Sequence, residues 1–105
     1  MTGVKKNFVY LTVINKDAFP SRANLIKINF KNNQIFQIAD TAFTDQRRLK
    51  TLTISHNQLV KLPSKALKNS KHLAELLLDN NKIESLRSNS FVDNPSLEWI
   101  NVRVL

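Results

Sequence analysis

The residues from Leu49 to Ser96 are two tandem copies of one 24-residue unit, and no other feature restricts the fold as strongly. The first copy reads LKTLTISHNQLVKLPSKALKNSKH and the second LAELLLDNNKIESLRSNSFVDNPS. Leu49 aligns with Leu73, Leu52 with Leu76, Ile54 with Leu78, Asn57 with Asn81, Leu59 with Ile83, Leu62 with Leu86 and Leu67 with Phe91. One period earlier, Leu25, Ile28, Phe30, Asn33, Ile35, Ile38 and Phe43 fall in phase. One period later come Leu97, Ile100 and Val102. A fixed period of this length marks units that cannot bury an apolar face alone and must stack to share a core.

Each unit has two halves. Leu49 to Ser55 alternates apolar and polar residues about Leu52 and Ile54, which predicts a half-buried strand. Side chains alternate between strand faces, so Leu52 and Ile54 are expected inside and Thr51, Thr53 and Ser55 outside. Successive units would set about four such strands side by side as a parallel sheet, at ~4.8 Å spacing. Asn33, Asn57 and Asn81 follow the strands. A side-chain amide both donates and accepts, so each is expected to satisfy loop backbone groups that the sheet leaves unpaired. The return half should carry Leu59, Leu62 and Leu67 inward, with Ile35, Ile38, Phe43, Ile83, Leu86 and Phe91 as their equivalents. Phe19, Phe43 and Phe91 would form an aromatic spine with Leu67 in the gap. The small residues Ala18, Ala42, Ala66 and Ser90 precede it.

The pattern L-x-x-L-x-L-x-x-N-x-L, complete from Leu25, Leu49 and Leu73, resembles the leucine-rich repeat in its 24-residue form, common in extracellular receptors. Toll-like receptors and insect leucine-rich immune proteins share this period and consensus. The resemblance implies an α/β solenoid, with a short parallel sheet on the concave face and a mostly irregular convex side. It implies one domain over 1–105: a degenerate repeat at 1–24, full repeats at 25–48, 49–72 and 73–96, and a truncated one at 97–105. Members of the family often carry a leucine three residues after the spine aromatic. Here Arg22, Gln46, Ser70 and Asn94 stand there, so a thinly packed and wet convex side is expected. The chain also has no cysteine, unlike the disulfide-bonded end caps of extracellular members. It is therefore expected to be a piece of a longer protein or to have its ends covered by something else.

The N-terminus admits two readings. Lys5 and Lys6 followed by the apolar run Phe8 to Ile14 resemble a secretory leader, with Ser21-Arg22-Ala23 as its cleavage site. However, the run is short, and Lys16 and Asp17 sit between it and that site. Leu11, Ile14, Ala18 and Phe19 lie one period before Ile35, Ile38, Ala42 and Phe43, so an eroded repeat fits better. No stretch approaches the ~18 apolar residues of a membrane span.

On the outward strand face the residues form columns. Lys27, Thr51, Glu75 and Trp99 make one, and Asn29, Thr53, Leu77 and Asn101 the next. Lys31, Ser55, Asp79 and Arg103 make a third, bordered by Asn32, His56, Asn80 and Val104. By resemblance this face binds a protein partner, with Trp99 as anchor and Leu77 extending the patch, since tryptophan is enriched at interface hot spots. Covering of the sheet end is the structural alternative for Trp99. Asp79 and Arg103 are neighbours across adjacent strands and within reach of pairing, an exposed pair that would set register and not function. An exposed terminal strand at Leu97 to Val102 also invites self-association.

Net charge is +8 and uneven: residues 1–72 hold thirteen Lys/Arg against three Asp/Glu, whereas 73–105 hold three against five. A basic balance favours polyanionic partners such as heparin-like sugar or nucleic acid. Lys61, Lys65, Lys68 and Lys71, with Arg47, Arg48 and Lys50 nearby, are the candidate basic stripe. Catalysis is disfavoured. Ser55, His56 and Asp79 lie close, yet on an open face without a pocket or oxyanion hole. Gly3 is the only glycine and no cysteine is present, so neither a phosphate loop nor a tetrahedral metal set is available, and no cofactor is expected. The overall reading is a non-enzymatic recognition module, extracellular or on the cell surface, of the kind used in innate immunity. The chain contains no N-x-[S/T] glycosylation sequon (Asn94 precedes a proline), which counts against that location.

Overall fold

The computed structural model describes residues 10–20 and 23–104. Six short strands occur in this part of the chain: β1 (Val13–Ile14), β2 (Lys27–Asn29), β3 (Gln37–Ile38), β4 (Thr51–Thr53), β5 (Glu75–Leu77) and β6 (Trp99–Asn101). Four of them form a parallel sheet in the order β2-β4-β5-β6. Lys27 pairs with Thr51, Thr51 with Glu75, and Glu75 with Trp99, so the sequence period is also the strand register. The middle residue of each strand turns inward: Ile28, Leu52 and Leu76 are buried, and Ile100 on the last strand is half-buried.

A second, two-stranded parallel sheet joins β1 to β3, with Val13 opposite Gln37 and Ile14 opposite Ile38. Its register is again the 24-residue period that sets Ile14 before Ile38, but strands are not expected there from the sequence because two-residue stretches are too short for alternation to be visible. Ile14 is fully buried. The basic flank Lys5 and Lys6, the start of the apolar run at Phe8, and Ser21 and Arg22 fall outside the described residues.

One core runs the length of the described chain. Leu49, Leu52, Ile54, Leu67, Leu73, Leu76, Leu78 and Ile83 are all completely buried. Each such side chain contributes roughly 1.5–3 kcal/mol through removal from water. The aromatic spine forms at its start, where the Phe19 and Phe43 rings lie 5.8 Å apart and Phe30 joins Phe19 at 5.9 Å. Leu67 is fully buried in the gap before the half-buried Phe91. Leu86 departs from expectation and is 47% exposed. Its neighbour Arg87 donates its N–H to the hydroxyl of Ser90 within the same segment.

Among the described residues there is no α-helix, only one 3-10 turn at Lys16–Ala18, capped by the Asn15 side chain. The return segments are built from tight three-residue turns that recur in phase. Gln46, Ser70 and Asn94 donate their N–H groups to Phe43, Leu67 and Phe91, and Leu49, Leu73 and Leu97 donate to Gln46, Ser70 and Asn94. The return segments are irregular, with no α-helix among the described residues, but their polar column is not wet. Gln46, Ser70 and Asn94 are buried. The Gln46 amide accepts from the Leu25 N–H and donates to the Ala23 carbonyl; the Ser70 hydroxyl donates to the Gln46 carbonyl; and the Asn94 amide donates to Leu67 and Ser70 carbonyls. Polar side chains that find backbone partners lose little by burial. Among the side-chain atoms of the described residues, Asn94 Oδ1 alone is buried without a partner.

The asparagines behind the strands form a second polar column. Asn57 Nδ2 donates to the carbonyls of Ile54 and Ser55 in its own repeat and of Phe30 in the preceding one, while its Oδ1 accepts from the Ile35 N–H. Asn81 repeats this set on Leu78, Asp79, Ile54 and Leu59. Asn33 accepts from the Leu11 N–H and donates to Phe30 and Lys31. Asn57 is buried and Asn33 half-buried, so their losses should differ. Asn57→Ala should lower the unfolding free energy by about 3 kcal/mol and Asn33→Ala by about 1 kcal/mol, because a buried group left unsatisfied costs more than one open to water. Urea denaturation measures both. Equal losses would show that burial does not set the strength of the column.

Candidate functional site

The sheet face is assembled from the outward strand residues. Lys27 and Glu75 are exposed, Thr51 is half-buried, and Trp99 is 61% exposed at the end of its column. Beside them Asn29 and Asn101 are exposed, and Thr53 and Leu77 are half-buried. Glu75 stands directly opposite Trp99 in register. With Leu77 and Glu98 these residues line a shallow depression. The pair Leu77 and Trp99 is thus brought together on one open surface, flanked by two carboxylates. Lys27 and Lys31 lie at the other end of the same sheet, exposed.

The third column differs from the expectation of a simple outward row. Ser55 is 4% exposed, and its hydroxyl donates to Oδ1 of Asp79 in the next repeat. Strict alternation ends with β4 at Thr53, and by Ser55 the chain is already turning away from the sheet. The next residue, His56, has φ 57°, and Asn32 and Asn80 occupy the same left-handed position at 61° and 57°. Asparagine and histidine are among the few non-glycine residues enriched there. One function of this fourth column is therefore conformational: it makes the turn that brings Asn33, Asn57 and Asn81 beneath the strands.

Asp79 binds toward Ser55 and not toward Arg103. Its Oδ2 accepts from Asn80 Nδ2 at 3.1 Å, and His56 Nε2 lies 4.0 Å away. Asn80 Nδ2 is also 3.3 Å from that imidazole nitrogen. The Ser55 hydroxyl is the main cause holding the Asp79 carboxyl below its ordinary value. Partial burial opposes it, and Asn80, the residue's own N–H and the nearby His56 add to it. The serine donates to the carboxylate rather than to histidine, so the three side chains do not make the serine-histidine-carboxylate relay of a hydrolase. No group of three or more metal-binding side chains clusters among the described residues.

The family model described as leucine rich repeat matches residues 7–59 and 47–103. The chain is a leucine-rich repeat protein. Membership implies a solenoid-like repeat fold, with which the small parallel sheets in 24-residue register agree. Leucine-rich repeat domains generally mediate protein–protein interaction and are typically non-enzymatic. No curated protein matches the chain significantly. No helix among the described residues is long and apolar enough to cross a membrane.

Sequence reasoning missed two parts of this leucine-rich repeat surface. The Ser55–Asp79 bond was hidden because the strand period was carried one residue too far. The left-handed role of Asn32, His56 and Asn80 was hidden because the column was read by its outward position and not by its backbone conformation. Their adjacency to the repeated asparagine was the available signal.

The Asp79 bond has a pH consequence. A carboxyl whose folded value is depressed contributes stability above its unfolded value, and loses it as pH falls through the folded one. Stability at neutral pH should therefore decline on acidification below the ordinary carboxylate range. In Ser55→Ala the carboxyl should titrate at higher pH, by NMR of the Asp79 side-chain carbon. An unchanged titration would show that the hydroxyl does not hold the charge.

Proposed function

We propose that this leucine-rich repeat chain is a right-handed solenoid that binds a protein partner on its concave strand face. The observation that carries the reading is the largely exposed Trp99, set beside Leu77 and opposite Glu75 on a sheet fixed by backbone bonds. A large aromatic on a rigid, open surface supplies contact area at little entropic cost. Lys27, Asn29, Lys31, Thr51, Thr53, His56, Asn101 and Arg103 form the polar surround, with Asp79 held in place by Ser55. The partner surface would meet a face that passes from basic at Lys27 and Lys31 to acidic at Glu75 and Glu98. By resemblance to receptor ectodomains, the setting is extracellular or cell-surface, and recognition in immunity is its natural use. Immunolocalisation of the native protein solely to the cell interior would remove that last element.

The test uses proteins selected for binding to the full chain from a display library. Trp99→Ala and Leu77→Ala should each weaken such binding by about tenfold or more, the scale of an interface hot spot. The circular dichroism melt of Trp99→Ala should stay near that of the parent. Undiminished binding in both variants sinks the reading, and a collapsed melt assigns Trp99 to structure.

A second reading has its own observation. Lys61, Lys65, Lys68 and Lys71 are all exposed along one return segment, with Arg47 and Arg48 also exposed. Lys71 is partly engaged, 3.6 Å from Asp93, in the kind of surface pair that contributes little. This stripe favours a heparin-like polyanion. Binding to immobilised heparin should fall steeply with salt through counterion release. Replacing the four lysines by alanine should abolish it, whereas retention of affinity would end this alternative.

A further inference from the structure

The flank behind the main sheet contains a break that the repeat pattern does not require. Backbone bonds join each repeat to its predecessor at matched positions. Gln34, Gln58 and Lys82 donate to Leu11, Ile35 and Leu59. Two residues on, Phe36 donates to Thr12 and Glu84 to Val60, yet no bond runs from Val60 to Phe36. Further along, Ala39 donates to Ile14. Its counterpart is Pro63, which has no N–H to give to Ile38. Among the described residues, the carbonyls of Phe36 and Ile38 receive no donor, and the Val60 N–H has no acceptor. The far edge of β3 is open as a result.

A groove lies at this break. It measures about 550 Å³ and is walled by Phe36 to Ile38 with Asp40 on one side and by Leu59 to Lys65 on the other. Phe36 is 55% exposed and Val60 36%, so its rim is apolar. Lys61 and Lys65 outnumber Asp40 among its charged lining residues. An unpaired strand edge accepts an added strand through main-chain bonds, while neighbouring side chains select the sequence.

We propose that this groove takes an extended peptide segment of a partner protein, alternately apolar and acidic, added as a strand to the open edge of β3. The peptide N–H groups bond to the Phe36 and Ile38 carbonyls. Apolar side chains cover Phe36 and Val60, and carboxylates meet Lys61 and Lys65. The groove is separate from the residues assigned to the strand face, so either site stands without the other.

The test is an amide NMR titration of the full chain with a blocked hexapeptide of alternating valine and glutamate. Shifts should concentrate at Phe36, Gln37, Ile38, Val60 and Lys61, and spare Thr51 and Thr53. The same hexapeptide with alternate amides N-methylated keeps its charge and loses donors, and should bind about tenfold more weakly or worse. Pro63→Ala supplies the missing N–H opposite the Ile38 carbonyl. It should add a slowly exchanging amide at position 63 and weaken the hexapeptide by a similar factor. Equal binding of the methylated peptide would mean that charge alone attracts it and would overturn the proposal. So would shifts confined to other surfaces, or a Pro63→Ala variant that gains the protected amide and keeps full affinity.

Discussion

The side-chain amide of the repeated asparagine is the interaction on which the rest depends. In a coil of 24 residues only three or so lie in a strand, and the turn behind the strand leaves carbonyl and N–H groups with no sheet partner. Asn57 answers three carbonyls and one N–H with a single side chain. Without it, the strand ends would be buried unsatisfied, a cost comparable to several lost hydrogen bonds. The left-handed residue before it gives it the approach, and the leucines around it supply the apolar surroundings in which its bonds are strong. Register, core and face all follow from that joint.

Much of the fold was legible because it repeats. Leu52, Leu76 and Asn57 could be placed from phase alone, and the four-stranded parallel sheet follows from phase in the same way. So could the fully buried Leu67 within an otherwise aromatic column. The face residues Glu75, Leu77 and Trp99 were legible for the same reason, since the residues flanking an inward one in a strand must look outward. What these outward residues recognise has no code in the period, because the period records only what is buried.

The rest was illegible where local chemistry overrides the average repeat. Gln46, Ser70 and Asn94 looked like a leucine column that had been lost to solvent. They are instead a buried polar column, because each finds backbone groups in the repeat before it. Leu86 matched its inward counterparts by letter, yet it is exposed, in a segment where Ser90 takes the neighbouring N–H. Ser55 matched an outward position and lies buried beneath Asp79. Each departure is accompanied by hydrogen bonds of particular side chains, and a pattern of hydrophobicity does not carry that information.

The bonds of the asparagine column have a direction. Every contact that Asn57 and Asn81 make outside their own repeat reaches back toward the preceding one. A unit of this kind brings its own fastening and asks of its predecessor only ordinary backbone groups, which any sequence provides. Tandem duplication of the coding segment would then create a working joint at once, with no matching change in the older copy. Lineages of such chains can lengthen by copying and afterwards diverge freely on the exposed strand positions.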